Sequence, residues 1–115
     1  MSNLSANPSS LQAQAVFRVD TFTVPAAHLA AFAERVRLID QAVSEMPGCQ
    51  QHLVLTQALA DGSTRVISLV EWANAAVMAD AKTTMQQRYA AEGFNPQAFL
   101  QALGVRAEFG VMHRH

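Results

Sequence analysis

The stretch Arg65-Val66-Ile67-Ser68-Leu69-Val70-Glu71-Trp72-Ala73-Asn74 decides the fold, because it has the pattern of a buried strand that leads directly into a helix. Alternate residues of a strand point to opposite sides, and large apolar residues occupy both sides here. Such a strand is typical of the middle of a sheet. Asn74 can cap a helix, and residues 75–91 contain neither Gly nor Pro, so a helix is predicted to begin there.

The length and charge of the chain exclude several classes of protein. A chain of 115 residues predicts one domain with one core, and a net charge of −1 shows no footprint for nucleic acid or for an anionic membrane. No apolar run approaches the roughly 20 residues that span a bilayer, and residues 1–10 lack the pattern of a secretory signal. We therefore expect a cytoplasmic protein. The single Cys49 excludes an internal disulfide and argues against a thiolate metal site.

The rest of the chain divides into a flexible tail over residues 1–14, one domain over 15–112 and a short C-terminal end over 113–115. Hydrophobic periodicity and turn residues predict the elements of the domain. In order, these are a strand at 15–24, a helix at 25–46, strands at 49–57 and 65–72, a helix at 75–91, a short helix at 96–103 and a strand at 105–112.

The order strand, helix, strand, strand, helix, short helix, strand predicts a ferredoxin-like α+β fold of the βαββααβ type. In this fold the helices cover one face of a four-stranded antiparallel sheet. The first and third strands nevertheless carry large apolar residues on both faces. The simplest cover for the second face is the same face of a second copy, related by a two-fold axis. We therefore predict a homodimer that forms a closed, dimeric α+β barrel.

Three short segments resemble the antibiotic biosynthesis monooxygenase family, whose members are small dimeric α+β barrel proteins. They are Phe22-Thr23-Val24-Pro25 before a helix that carries Phe32, Pro47-Gly48-Cys49 before the second strand, and Val70-Glu71-Trp72-Ala73-Asn74. The resemblance covers about residues 15–112. It implies oxidation of phenolic polycyclic substrates with O₂ and without an added cofactor, although other members degrade haem or have no known activity.

The resemblance also bears on individual residues. In the quinone-forming members, a tryptophan at the position of Trp72 works with an Asn four residues earlier and a Tyr six residues later, where this chain has Ser68 and Met78. The haem-degrading members resemble one another in an Asn on the first strand and a Trp and a His on the second helix. Here Asp20 stands at about that strand position and the helix has neither residue, so no histidine-ligated haem is expected.

Cofactor-free oxygenation needs a substrate that can lose a proton, a base, and a pocket that keeps water out. His52 is the first candidate for the base because histidine titrates near neutral pH, and Asp20 is the second. Trp72 completes the predicted catalytic set, since its ring can stack on a planar substrate. Arg18 and Asp20 share one face of the first strand, where they can pair or line a polar pocket, and Arg18 can hold an anionic oxygen.

If the strand face that carries Ser68 and Trp72 points to the helices, it forms a pocket wall opposite the second helix, and the predicted substrate-binding residues lie on these two sides. Besides Arg18 they are Ser68, Met78, Met85 and Tyr89. Each has a structural alternative, since His52 can be a hydrogen-bonded sheet residue, Ser68 a small packing residue and the two Met core filler. No pair of residues has the spacing of a metal site, a nucleophilic triad or a phosphate loop, so no metal or cofactor is predicted.

Two hypotheses about function remain open. The first is a cofactor-independent monooxygenase that oxidises a small aromatic or quinol-type substrate with O₂. The second is a non-catalytic dimeric α+β barrel protein that binds a small apolar ligand. Removing the side chains of Trp72 and His52 should abolish turnover under the first hypothesis, and should change only ligand affinity or stability under the second.

Overall fold

The computed structural model describes residues 14–115, which form a four-stranded antiparallel sheet with helices packed on one face. The predicted flexible tail therefore lies outside the described residues, apart from Gln14. The elements are β1 (Val16–Val24), α1 (Leu29–Ser44), β2 (Cys49–Ala58), β3 (Thr64–Trp72), α2 (Ala75–Glu92), α3 (Pro96–Ala102) and β4 (Arg106–His113). Their order confirms the ferredoxin-like α+β fold.

The first helix begins later than the sequence predicts. Pro25 keeps an extended backbone with ψ 144°, and its carbonyl accepts a hydrogen bond from the His28 amide at 3.0 Å. That bond spans three residues, so Ala26–His28 form a 3₁₀ turn and the α-helix starts only at Leu29. The other predicted ends lie within two residues of the observed ones.

The sheet has the strand order β2-β3-β1-β4, so β1 and β3 are the central strands. The register across the sheet places Asp20 of β1 opposite Ser68 of β3 on one side and Phe109 of β4 on the other. In the same way Arg18 lies between Val70 and Val111. Directly opposed residues share a face, so these polar and aromatic side chains all project toward the helices.

The core lies between this face and the helices and consists of two clusters. One contains Val16, Val43, Val70, Trp72 and Ala81, and the other contains Val24, Phe32 and Val66. Trp72 is only 4 % exposed at the corner between β3 and α2. The predicted strand-to-helix corner is thus part of the core.

The opposite face of the sheet leaves large apolar side chains in solvent. Leu53 and Leu55 of β2 are 40 % and 53 % exposed, and Met112 of β4 is 54 % exposed. On the central strands, Val19 is paired with Leu69 on the same face and both are half-buried. An apolar surface of this extent on a sheet usually marks a contact with another molecule.

The start of α2 depends on one side-chain hydrogen bond, which allows a direct test of the predicted cap. The Asn74 Oδ1 accepts a hydrogen bond from the Val77 amide at 2.9 Å. We expect Asn74→Ala to lower the free energy of unfolding by about 1 kcal/mol, because an amide of the first turn loses its partner. Urea denaturation measures the change. Gln87→Ala, on the exposed surface of the same helix, is the control and should shift stability by less than about 0.5 kcal/mol.

Candidate active site

A cleft with a volume of ≈ 680 Å³ lies between the helix-facing side of the sheet and the helices. Cavities of this size suit small organic molecules. Strands β1, β3 and β4 form its floor, α1 and α2 form its sides, and the segment from Phe94 to Leu100 closes one end. The arrangement follows from the fold, because the helices pack on the two ends of the central strands and leave the middle accessible.

An ion pair lies on the floor of the cleft. The Arg18 Nε donates a hydrogen bond to the Asp20 Oδ1 at 2.6 Å, and the two side chains are 35 % and 20 % exposed. Burial raises the pKa of Asp20 above its ordinary value, although the neighbouring guanidinium of Arg18 acts in the opposite direction. A half-buried carboxyl with a raised pKa is a stronger proton acceptor than a solvated one, which suits it to general base chemistry.

Aromatic rings form most of the apolar wall. Ring centroids 5.0 to 6.5 Å apart connect, in order, Phe109, Phe22, Phe32, Phe99, Phe94 and Tyr89. Five of the six Phe of the chain line the cleft, while the sequence analysis placed only Tyr89 there. The sequence analysis missed these Phe residues because their proximity is not visible in the sequence. Phe22 and Phe109, for example, lie on different strands and meet only through the register of the sheet.

The ring of Phe109 stands open to solvent at the mouth of the cleft. It is 58 % exposed, and the Arg18 guanidinium carbon lies 5.3 Å from the centre of the ring. At the other end Trp72 forms a buried wall with Met78 and Ala81 of α2. An exposed aromatic ring facing buried ones is the arrangement expected of a site that a planar apolar ligand would complete.

Seven of the eight predicted site residues line this one cleft. They are Arg18, Asp20, Ser68, Trp72, Met78, Met85 and Tyr89. The structure thereby resolves which face of the sheet carries the pocket, since the four strand residues, Arg18, Asp20, Ser68 and Trp72, project toward the helices. Their individual roles stay predictions.

His52 is the exception. It lies on the edge strand β2, is 40 % exposed, and does not line the cleft. Its Nδ1 is 2.9 Å from the Asp40 Oδ2, and Asp40 of α1 does line the cleft. His52 therefore contacts a residue of the wall from outside, and a substrate in the cleft would meet Asp20 first.

Two further residues of α1 and α2 place polar groups on the wall. Burial raises the pKa of the Tyr89 phenol, which keeps it protonated and able to donate a hydrogen bond. The Arg35 guanidinium carbon lies 3.8 Å from the centre of the Phe94 ring, and its Nη1 lies 3.4 Å from the Glu92 Oε1. The sequence analysis did not include Arg35 among the candidate site residues.

The described residues were also compared with the requirements of a metal site and of a reactive thiol. That part of the chain contains no group of three or more His, Cys, Asp or Glu side chains that could hold a metal ion. Burial, and secondarily the charge of Asp40, raises the pKa of the Cys49 thiol, so this thiol is less reactive than a free one.

Among the helices of residues 14–115, none has the length and apolar character that a membrane span requires.

Comparisons with known proteins agree with this geometry. The sheet order, the helices on one face and the cleft define a ferredoxin-like α+β protein. Residues 15–93 match the model of the antibiotic biosynthesis monooxygenase family, and the chain belongs to that family. No curated protein matches the sequence.

Among solved structures, a mutant of SnoaB, a cofactor-independent oxygenase from Streptomyces nogalater, is similar at 27 % identity with a TM-score of 0.61, over 90 % of this chain and 95 % of that one. A Shewanella loihica protein has a TM-score of 0.68 at 17 % identity, over 89 % and 95 % of the two chains. A dimeric ferredoxin-like protein from an uncultured marine organism has a TM-score of 0.67 at 13 % identity, over 87 % and 94 %. The latter two likenesses concern the fold alone.

Proposed function

We propose that the protein is a cofactor-independent monooxygenase that oxidises a small aromatic or quinol-type substrate with O₂. The observation that carries this proposal is the aromatic cleft with a half-buried carboxyl on its floor, Asp20, beside its partner Arg18. Membership of a monooxygenase family supports it, and so does the likeness to SnoaB, which is a cofactor-independent oxygenase.

In the proposed reaction the substrate ring lies between Trp72 and the Phe109 end of the cleft. Asp20 takes a proton from the substrate, either from a hydroxyl group or from an acidic ring C–H group. Arg18 then faces the negative charge that develops on the substrate oxygen, and Tyr89 donates a hydrogen bond without losing its own proton. The protein thereby lowers the cost of forming an electron-rich anion.

The anion supplies the electrons for the oxidation. It passes one electron to O₂, and the resulting substrate radical and superoxide combine to a carbon–oxygen bond. After protonation the peroxide loses water and leaves a carbonyl group. One oxygen atom enters the product and the other leaves as water, so a ring CH₂ group that becomes C=O provides the electrons and both protons. The apolar wall keeps bulk water from the radical pair.

Oxygen uptake tests the proposal. Metal-free and flavin-free protein should consume O₂ with a member of a panel of hydroquinones, naphthols and anthrones faster than buffer alone. The quinone should carry one new oxygen atom from labelled O₂, because a hydroquinone that only loses two hydrogen atoms gives quinone and H₂O₂ without monooxygenation. If the protein adds nothing to autoxidation across the panel, the oxygenase proposal fails. The remaining function is then binding of a small apolar ligand in the same cleft.

The raised pKa of Asp20 predicts a pH dependence. The base must be ionised, so kcat/KM falls as the pH drops through the pKa of Asp20 in the folded protein. Because burial raises that pKa, the loss should begin at a higher pH than an ordinary aspartate would give. A pH profile of oxygen uptake measures this limb. A flat profile down to the ordinary range of aspartate would contradict the role of Asp20.

We also propose that two copies pair through the outer face of the sheet. The exposed Leu53, Leu55 and Met112 support this pairing. A likeness to a dimeric ferredoxin-like protein supports it as well. The cleft opens on the other face, so pairing leaves it accessible. Sedimentation should give twice the 12.5 kDa protomer mass at micromolar concentration, and a stable monomer would contradict the proposal.

Two neighbouring residues of β2 test which face is involved. We expect Leu55→Asp to weaken the dimer at least about 10-fold, because it buries a charge without a partner in the interface. Val54→Asp is the matched control, since Val54 is 38 % exposed on the helix-facing side of the same strand. Sedimentation of both variants distinguishes the faces. Dissociation by Val54→Asp but not by Leu55→Asp would contradict the proposal, because the contact would then lie on the helix-facing side of the sheet.

A further inference from the structure

We infer that Arg35 binds an anionic group of the ligand, so that the cleft selects aromatic carboxylates over neutral aromatics of the same shape. The reaction of such a compound rests on the proposed function, whereas its binding does not. The inference comes from the charges on the cleft wall and from the way each charge is already paired.

Three cationic and two anionic side chains line the cleft: Arg18, Arg35 and Lys82 against Asp20 and Asp40. Asp20 is paired with Arg18 at 2.6 Å, and Asp40 is paired with His52 at 2.9 Å. Both carboxylates therefore have close partners inside the protein. Of the cations on the lining, Lys82 has no ion pair among the described residues, and Arg35 has only a long contact of 3.4 Å with Glu92.

Arg35 is the cation that is held in place. Its guanidinium lies 3.8 Å from the centre of the Phe94 ring, and its side chain is only 27 % exposed. Its contact with the Glu92 Oε1 is 3.4 Å, which is long for a charge-assisted hydrogen bond. The contact with the ring restrains the guanidinium, and the single long hydrogen bond to Glu92 leaves most of its N–H groups for a carboxylate.

The position of Arg35 suits a group at the edge of an aromatic ligand. Arg35, Met85 and Tyr89 line both the main cleft and a smaller cavity of ≈ 220 Å³ between α1 and α2. A ligand whose rings pack against the aromatic wall would direct a polar substituent toward this boundary. The phenol of Tyr89 lies on the same boundary and can donate a second hydrogen bond.

The other two cations fit this role less well. The charge of Arg18 is balanced by Asp20, and its binding would compete with a 2.6 Å hydrogen bond. Lys82 is exposed, and an exposed ammonium is strongly hydrated on a flexible stem. A carboxylate binds more strongly to a half-buried guanidinium than to an exposed lysine, because water screens the attraction less and less side-chain entropy is lost.

Calorimetric titration with naphthoate and with naphthamide tests the inference. The two probes share their ring and differ in charge, and neither is oxidised by O₂ under the conditions of the assay. We expect Arg35→Gln to weaken naphthoate binding at least about 10-fold, because a charge-assisted pair is lost. Naphthamide binding should change less than about 2-fold, since its packing against the aromatic wall is unaffected.

Four further variants locate the charge. Arg37→Gln should leave both affinities unchanged, because Arg37 is 60 % exposed, paired with Glu34 and absent from the cleft. Glu92→Gln should strengthen naphthoate binding roughly 2- to 5-fold, because it removes the one carboxylate beside Arg35. If Lys82→Gln or Arg88→Gln weakens naphthoate binding and Arg35→Gln does not, the inference is overturned. Equal binding of the two probes to the unaltered protein overturns it too.

These outcomes separate the inference from the proposed oxygenase activity. Preferential binding of naphthoate without any oxygen uptake would leave the inference standing and remove the oxygenase. Oxygen uptake with neutral quinols, together with equal binding of naphthoate and naphthamide, would support the oxygenase and overturn the inference. We expect hydroxynaphthoates to be oxidised with a lower KM than naphthols. Arg35→Gln should raise the KM for hydroxynaphthoates and leave the KM for naphthols unchanged.

Discussion

Asp20→Asn is expected to lower kcat/KM for oxygen-dependent oxidation about 100- to 10,000-fold, which is the usual contribution of a general base. The substitution keeps the size of the side chain and removes its ability to accept a proton. Asp20 is the carboxyl that the cleft surrounds, and burial has already raised its pKa. Steady-state oxygen uptake on the best substrate of the quinol panel measures the loss.

His52→Ala is the informative comparison for this prediction. His52 lies outside the cleft and contacts it only through Asp40, so we expect its removal to change kcat/KM less than about 10-fold. Circular dichroism and urea denaturation of both variants exclude unfolding as the cause. Full activity of Asp20→Asn together with inactivity of His52→Ala would return the role of base to His52.

Phe32→Ala is expected to lower the free energy of unfolding by about 3–5 kcal/mol, the largest stability effect of the substitutions considered. Phe32 is 2 % exposed and belongs to the core cluster with Val24 and Val66. Its ring also contacts those of Phe22 and Phe99, with centroids 5.0 and 6.5 Å away. Truncation therefore leaves a cavity where α1 packs against the central strands and α3.

Phe109→Ala is the matched control for Phe32. The same chemical change at a ring that is 58 % exposed should cost less than about 1 kcal/mol. Urea denaturation at one protomer concentration measures both variants, because a dimer couples unfolding to association. If Phe109→Ala proved as costly as Phe32→Ala, Phe109 would have to be buried against another molecule in solution.

The contrast between these two rings also describes the site. Phe32 supports the cleft from behind, and Phe109 presents its face at the mouth. We expect Phe109→Ala to raise KM for an aromatic substrate while leaving stability nearly unchanged. A chain that exposes an aromatic ring beside a half-buried ion pair gives up little stability and retains a surface on which a planar molecule can stack.

The cleft offers an explanation for the two departures from the residue pattern of the quinone-forming members. Ser68 and Met78 occupy positions where that pattern has an Asn and a Tyr, and neither can act as a base. The register sets Ser68 directly opposite Asp20, and Tyr89 reaches the same cleft from a later turn of α2. A carboxyl and a phenol are therefore present in the cleft, although they are contributed from other positions.

The sequence by itself determined the order of the elements and which residues of each strand share a face. Alternation in Val66, Ser68, Val70 and Trp72 and the cap at Asn74 are local signals, and each has its effect within a few residues. For the same reason the sequence identified part of the floor of the cleft, since residues at every second position of β1 and β3 must share one side of the sheet.

Only the tertiary structure decided which of these residues can act together. The sequence makes His52 the first candidate for the base and Asp20 the second, but β2 is an edge strand and β1 a central one, so Asp20 lies on the floor and His52 lies outside. Phe94, Phe109 and Arg35 come from a loop, a strand and a helix that are far apart in the chain. Their contacts depend on strand pairing and helix packing, which no local pattern encodes.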